Sequence, residues 1–218
     1  MAESGQDVLI IACGALAHEV MALKRANGWT HVDVECLPAE LHNRPERIPA
    51  AVRALIQSSR CHYRSLFVAY ADCGTGGLLD AVLKEEGVER IPGAHCYEFF
   101  AGSKVFAELT EAELGTFYLT DFLLRHFDRL VIRGLGLDVH PELFSSYFGH
   151  YRKLVYLGQA ATADAIEEGR AIAARMGLAY EYRATGYGAL ATSLESAAQR
   201  GGTRGREGLH EEAVVWRR

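Results

Sequence analysis

The chain has 218 residues, of which 49% are hydrophobic and 23% charged, with 28 acidic against 23 basic side chains and a net charge of −5. That length suits one large α/β domain or two small ones, and the near-average composition excludes disordered, collagenous and repeat-built classes. The acidic balance leaves no counterion-release footprint for nucleic acid and no polybasic patch for an anionic membrane, so neither partner is expected.

The first seven residues are polar, and the apolar run that follows is broken by Cys13, His18 and Glu19. A secretion signal is not expected there. Nor does any window reach the roughly 18 apolar residues of a spanning helix. The expected location is the cytoplasm. There the five cysteines stay reduced, and each serves as a ligand, a nucleophile or plain core.

Val8–Ala12 is an uninterrupted apolar run, the pattern of a strand buried on both faces. Gly14 breaks it, and Leu16, Val20 and Leu23 give the stretch from Ala15 to Arg25 one apolar helical stripe. Asn27-Gly28 stops that helix, and His31–Leu37 alternates as a second strand. A helix is expected over Arg47–Ser58 with Pro49 in its first turn, then a strand at Leu66–Tyr70. Leu78–Glu86 reads as a helix stopped by Gly87, followed by a short strand over Val88–Ile91. After an irregular middle come a strand at Lys153–Leu157, a long helix from Ala160 to Met176 with Gly177 at its stop, and a closing strand at Leu178–Arg183. Such alternation predicts an α/β fold, a mostly parallel sheet covered by helices on both faces in a Rossmann-like, three-layer arrangement.

The middle, from Cys96 to His150, is rich in aromatics and reads as a helical insertion. Its rings pack on the sheet or, beside Glu98, Asp121 and His140, wall a pocket. Residues 1–199 read as a single domain, and residues 200–218, with Gly201-Gly202 and Gly205 among charges, as a mobile tail or one held by a partner.

The cysteines are informative by their positions relative to the strands. Cys13 directly follows the first strand, Cys73 the third, and Cys96 comes shortly after the fourth. In a parallel sheet every carboxyl end opens on one edge, where ligands bind. Three thiols there form a soft donor set that suits zinc, or an iron–sulfur cluster, better than magnesium or calcium. Helix starts behind Cys13 and Cys73 are expected to favour the thiolates. His95 is a further candidate ligand. Glu19 or Glu98 could complete the shell or move protons, although a solvated helix face is the commoner fate of a residue such as Glu19. Cys36 and Cys61 are expected to be inert core.

The loop Leu41-His42-Asn43-Arg44-Pro45-Glu46 follows the second strand on the same rim. His42, Asn43 and Arg44 are therefore candidate substrate contacts, or a polar turn rich in capping chemistry. Asp72-Cys73-Gly74-Thr75-Gly76-Gly77 adds Asp72 to the candidate substrate contacts. The loop lacks the Gly-Lys-Ser/Thr of a phosphate loop and the glycine spacing of a dinucleotide fingerprint. A thiol nucleophile at Cys73 or Cys96, activated by His42 or His95, is a further alternative. A serine hydrolase is not expected, because no Gly-x-Ser-x-Gly elbow is present.

These segments resemble a bacterial and archaeal family catalogued as domain of unknown function 1638. The resemblance rests on Ile11-Ala12-Cys13-Gly14-Ala15-Leu16, Leu41-His42-Asn43-Arg44-Pro45, Tyr70-Ala71-Asp72-Cys73-Gly74, Gly93-Ala94-His95-Cys96-Tyr97-Glu98, Phe117-Tyr118-Leu119-Thr120-Asp121 and Val155-Tyr156-Leu157. Where family members tend to carry Asp-Thr-Gly after the last of these strands, this chain reads Gly158-Gln159-Ala160. The resemblance implies a setting in one-carbon metabolism beside corrinoid proteins and corrinoid-dependent methyltransferases, with a corrinoid or folate as the attendant cofactor. The expectation is a zinc-binding protein that acts in methyl transfer, as a methyltransferase or an accessory. The alternative is a module without turnover that carries a metal or cofactor to such a partner.

Overall fold

The computed structural model describes residues 7–200. The leader over residues 1–6 and the tail expected to be mobile lie outside the described residues, apart from Arg200. That residue is helical and donates to the Glu89 carboxylate at 2.6 Å. Within the span read as a single domain, contacts group the chain into two compact units, one up to Ala94 with the residues from Leu190 onward, the other His95–Ala189.

The first unit begins with β1 (Val8–Cys13), a helical turn at Gly14–Leu16, α1 (Ala17–Ala26) and β2 (Val32–Leu37). Two further turns, Ala39–Asn43 and Pro45–Arg47, lead into α2 (Ile48–Ser59), β3 (Ser65–Ala69), α3 (Leu78–Glu86) and β4 (Glu89–Arg90). The strands form one parallel sheet in the order β2-β1-β3-β4. All six residues of β1 are buried, because a central parallel strand is covered on both faces and Val-Leu-Ile-Ile-Ala-Cys demands nothing polar there. Each of its large apolar side chains is worth about 1.5–3 kcal/mol when fully buried.

That strand order has a functional consequence. The chain leaves β1 through α1 toward one sheet edge, then returns through α2 and continues in the opposite direction from β3 through α3. With right-handed crossovers, α1 covers one face while α2 and α3 cover the other. The connections therefore part between the carboxyl ends of β1 and β3, the switch point where parallel sheets bind ligands.

The second unit contains α4 (Cys96–Ala101), α5 (Ser103–Ala112), β5 (Thr116–Thr120), α6 (Asp121–Arg125), a π-helical segment at Asp128–Arg133 and a turn at Pro141–Leu143. It continues with α7 (Phe144–Phe148), β6 (Lys153–Gly158), α8 (Ala163–Met176) and β7 (Ala179–Ala184). Its parallel sheet runs β5-β6-β7 in one direction, with no switch point. The fold class is the expected three-layer α/β, with helices flanking mostly parallel sheets, and the sheet comes in two pieces. The aromatic middle is more than helical: Thr116-Phe-Tyr-Leu-Thr120, a β-branched and aromatic run, pairs with β6 and founds the second sheet.

The aromatics form that unit's core. Phe117 meets Phe127, Phe148 and Tyr151 edge-on, with centroids 5.7–6.3 Å apart. Phe127 and Phe148 are buried beside Leu119, Leu154 and Tyr156. The glycine stops hold, since Gly87 and Gly177 take left-handed φ of 65° and 71° at the ends of α3 and α8. A last helix, α9 over 188–200, buries Leu190, Leu194, Ala197 and Ala198 at helical spacing. No helix among the described residues is long and apolar enough to cross a membrane.

Candidate functional site

The best-developed site lies at the carboxyl edge of the first sheet, at its switch point. Cys13 closes β1, is 3% exposed, and its Sγ accepts the Ala15 N–H at 3.2 Å, so the thiol caps the helical turn that follows. Gly14 is required next. A Cβ there would meet the Leu37 carbonyl at 2.9 Å and the Ala39 nitrogen at 3.2 Å. The missing side chain lets the β1 turn close on the turn that carries His42.

His42 is half-buried, with its ring nitrogens 3.8 Å (Nδ1) and 3.9 Å (Nε2) from Cys13 Sγ. Nδ1 also lies 3.0 Å from the Ala39 carbonyl oxygen. A carbonyl only accepts, which assigns a proton to Nδ1; in the neutral ring Nε2 then carries the lone pair. The site residue that sequence reasoning missed is Tyr70, just past β3 and 0% exposed. Its ring runs nearly parallel to the His42 imidazole, at 9° and 6.3 Å between centroids. Its hydroxyl is close enough to Cys13 for each group's proton to feel a hydrogen bond from the other, and it feels charge at Cys73, but it meets no partner of strict hydrogen-bond geometry among the described residues. The available signal was a tyrosine ending an otherwise apolar strand, Leu66–Tyr70.

The loop after β3 is held in an unusual shape. Cys73 has φ of 52°, the sole non-glycine residue with positive φ among those described. A side chain in that region is strained, and such strain gathers at functional sites. Several bonds maintain it. Asp72 and Cys73 donate their N–H groups to Gly93 and Ala94 at 3.1 and 2.9 Å. The Asp72 carboxylate accepts from Thr75 Oγ1 at 2.6 Å, Gly77 N at 2.8 Å and Gly76 N at 3.1 Å. Burial alone would raise the Asp72 pKa, but these bonds and the Arg90 charge hold it below the ordinary value. The Gly76 and Gly77 N–H groups are thus taken by the loop's own carboxylate rather than turned toward an anion.

Burial pushes the Cys13 thiol up to about 12, against a lowering by the Ala15 N–H; charge on Cys73 and Cys36 raises it further. The thiolate expected from the helix start behind Cys13 is therefore not the resting form, because loss of water outweighs one backbone dipole. The same burial, with charge at Cys13, raises Tyr70 as well. Both groups rest neutral.

Other candidates fall as follows. Glu19 is 2% exposed in the first turn of α1, which overturns the solvated-face alternative. Asn43 and Arg44 are exposed on the rim beside His42. Cys36 and Cys61 are exposed rather than core: β2 is an edge strand, and Cys61 follows the end of α2. Cys96, His95 and Glu98 belong to the second unit. Cys96 is half-buried in the first turn of α4, His95 is exposed, and Glu98 accepts from Ser103 Oγ at 3.0 Å. Among the described residues, no three His, Cys, Asp or Glu side chains stand close enough together to hold a metal ion.

The second unit's carboxyl edge is built differently. Asp121 follows β5 and accepts from the buried Tyr156 hydroxyl at 2.7 Å, Ala160 N at 2.8 Å and Gln159 N at 3.2 Å. Gln159 returns a bond, its Oε1 accepting from Asp121 N at 3.0 Å. The Gly158-Gln159-Ala160 sequence is thus part of a closed polar network.

No curated protein and no solved structure matches the chain. Residues 36–194 match the family model described as "Protein of unknown function (DUF1638)", and the chain belongs to that family.

Proposed function

We propose that the carboxyl edge of the first sheet is a zinc centre, and that the protein acts through it in methyl transfer between a corrinoid and an acceptor, in the cytoplasm. The observation that carries the reading is the Cys13–His42 pair. Two such ligands of a tetrahedral zinc stand about 3.6 Å apart; Sγ lies 3.8 Å from Nδ1 and 3.9 Å from Nε2, so an ion on Nε2 needs the thiol to shift toward that nitrogen. The imidazole is also oriented as metal-bound histidines are, with its other nitrogen donating to a backbone carbonyl, here Ala39.

Cys13 and His42 would hold the ion, and Cys73, close enough to influence the Cys13 proton, is the proposed third ligand. Its recruitment needs a side-chain movement, since no three-ligand set is assembled among the described residues. Zinc bound there would supply Lewis acidity, holding a methyl-accepting thiol or water-derived group in its anionic form. The chain's own contribution is to keep Cys13 dry, set the His42 tautomer, and present the neutral Tyr70 hydroxyl as a donor beside Cys13. Asn43 and Arg44 on the rim are the proposed substrate contacts. A corrinoid protein or corrinoid-dependent methyltransferase is the proposed partner.

The test uses zinc-loaded protein with methylcobalamin and a small thiol, following loss of the methyl–cobalt absorbance. Demethylation that His42→Ala abolishes supports the reading. Stoichiometric zinc with no demethylation, alone or with the partner methyltransferase, would favour the non-catalytic module. A visible charge-transfer band in anaerobically purified protein would replace zinc with an iron–sulfur cluster. Folate-dependent methyl loss in place of thiol-dependent loss would change the acceptor class.

A further inference from the structure

The second unit has a concave site that the proposed chemistry does not use. α6, the π-helical segment and α8 enclose a cavity of about 420 Å³. Arg125, Arg129 and Arg133 line it from one side, four residues apart, and Arg175 of α8 from another. Spacing of four keeps side chains in one row along a helix. The row passes through a π-helical turn, a conformation that recurs at functional sites.

Charge here runs against the rest of the molecule. Four guanidinium groups face two carboxylates, Asp128 and Glu168, in a chain whose net charge is −5. Asp128 is engaged by Arg175 at 2.7 Å, and Arg125 Nε donates to the Asp121 carbonyl at 3.1 Å, so an anion would share these guanidinium groups with the protein. Leu124, Phe127 and Ile172 back it from the core, each nearly fully buried, so the accessible lining is mainly polar. Positive charge gathered in a concavity with low-dielectric walls focuses its field outward and concentrates anions. Guanidinium forks match the oxygens of a phosphate group bidentately.

We propose that this cavity binds a small phosphorylated ligand, its phosphate held by the Arg125–Arg129–Arg133 row. A concavity of about 420 Å³ fits a small molecule, whereas an extended acidic partner would need a longer basic strip.

The experiment is isothermal titration calorimetry on the full chain with pyrophosphate as probe, at about 0.15 M salt. Saturable binding is expected. An Arg129→Gln/Arg133→Gln variant should weaken it by about tenfold or more, since each charge-assisted contact is among the stronger hydrogen bonds. Arg170→Gln, an exposed arginine of α8 outside the lining, should leave it unchanged. Urea unfolding midpoints of both variants report whether the fold is intact. No saturable heat, equal binding by the double variant, or an equal loss in Arg170→Gln would overturn the proposal. Tighter binding of hexaglutamate than of pyrophosphate would also overturn it, pointing to an acidic protein surface.

Discussion

The two sheets end in two kinds of carboxyl edge, and a pair of fully buried tyrosines shows the difference. Tyr156 in the second unit donates to Asp121 at 2.7 Å, inside a network that also takes Gln159 and Ala160. Tyr70 in the first unit is as deeply buried, yet its hydroxyl has only the Cys13 thiol to turn to, without strict hydrogen-bond geometry among the described residues. Leaving a buried donor unmet costs about 1–3 kcal/mol, and nothing about folding the first unit requires it. The second edge is finished as structure, whereas the first holds polar groups in readiness. Topology agrees, because the order β2-β1-β3-β4 contains a switch point and the order β5-β6-β7 contains none.

Substitutions can break that contrast, and the largest effect is expected at Asp121. Asp121→Ala removes the acceptor of three bonds, one from a buried hydroxyl, and should lower unfolding stability by about 3–5 kcal/mol in urea titration. Asp72→Ala, in the equivalent loop of the first unit, removes bonds that water can partly replace and should cost about 1–2 kcal/mol. It should also release the left-handed Cys73 and weaken metal retention. Equal stability losses, with metal retention unchanged, would remove the functional distinction between the edges.

The tyrosines themselves come next. Tyr156→Phe leaves the Asp121 carboxylate short of a donor and should destabilise by about 1–2 kcal/mol. Tyr70→Phe removes a hydroxyl met only weakly, by the Cys13 thiol, and should change stability by less than about 1 kcal/mol in metal-free protein. A loss at Tyr70 matching that at Tyr156 would mean that its hydroxyl is already satisfied.

An effect confined to alkaline pH is expected from Cys13. Its folded pKa is raised from 9.0 to about 12, so its stabilising contribution is fully present below pH 9 and lost as the pH rises toward 12. Between those limits the loss is about 1 kcal/mol per pH unit, and Cys13→Ala should flatten that slope in unfolding measurements. The same proton must leave when a cation binds, so zinc uptake near pH 8 should release at least about one proton per ion, read by calorimetry in buffers of different ionisation enthalpy. Uptake without proton release would show that Cys13 is not a ligand.

Much of this frame is legible in the chain, for definite reasons. Uniform apolar runs such as Val8–Ala12 and the glycine stops Gly87 and Gly177 carry local signals, so the principal helices and most strands can be read directly. The position of Cys13 after β1 and of Cys73 after β3 follows from the same reading. Strand order does not, because it depends on pairing between distant segments, and with it the switch point stays hidden. Strand β5 is obscured because Thr116–Thr120 is short and set among aromatics that suit helices equally well. The helix carrying Leu190, Leu194, Ala197 and Ala198 was obscured by the alanines in its buried stripe. Tyr70 could not be distinguished from Tyr156, since only three-dimensional neighbours show which hydroxyl is answered. The burial that keeps the Cys13 thiol neutral is likewise a property of packing, and it reversed the expectation from the helix start behind it.

The central claim is that Cys13, His42 and Cys73 hold a soft metal ion at the first sheet's switch point. Elemental analysis of protein purified without chelator tests it most directly, with Cys13→Ser/Cys73→Ser, His42→Ala and Cys96→Ser variants prepared in parallel. The account predicts about one zinc per chain in the wild type, lost in the first two variants while their unfolding remains cooperative; the Cys96→Ser result decides whether the second unit's thiol takes part. A wild-type protein without near-stoichiometric metal, or metal fully retained in Cys13→Ser/Cys73→Ser, would contradict it.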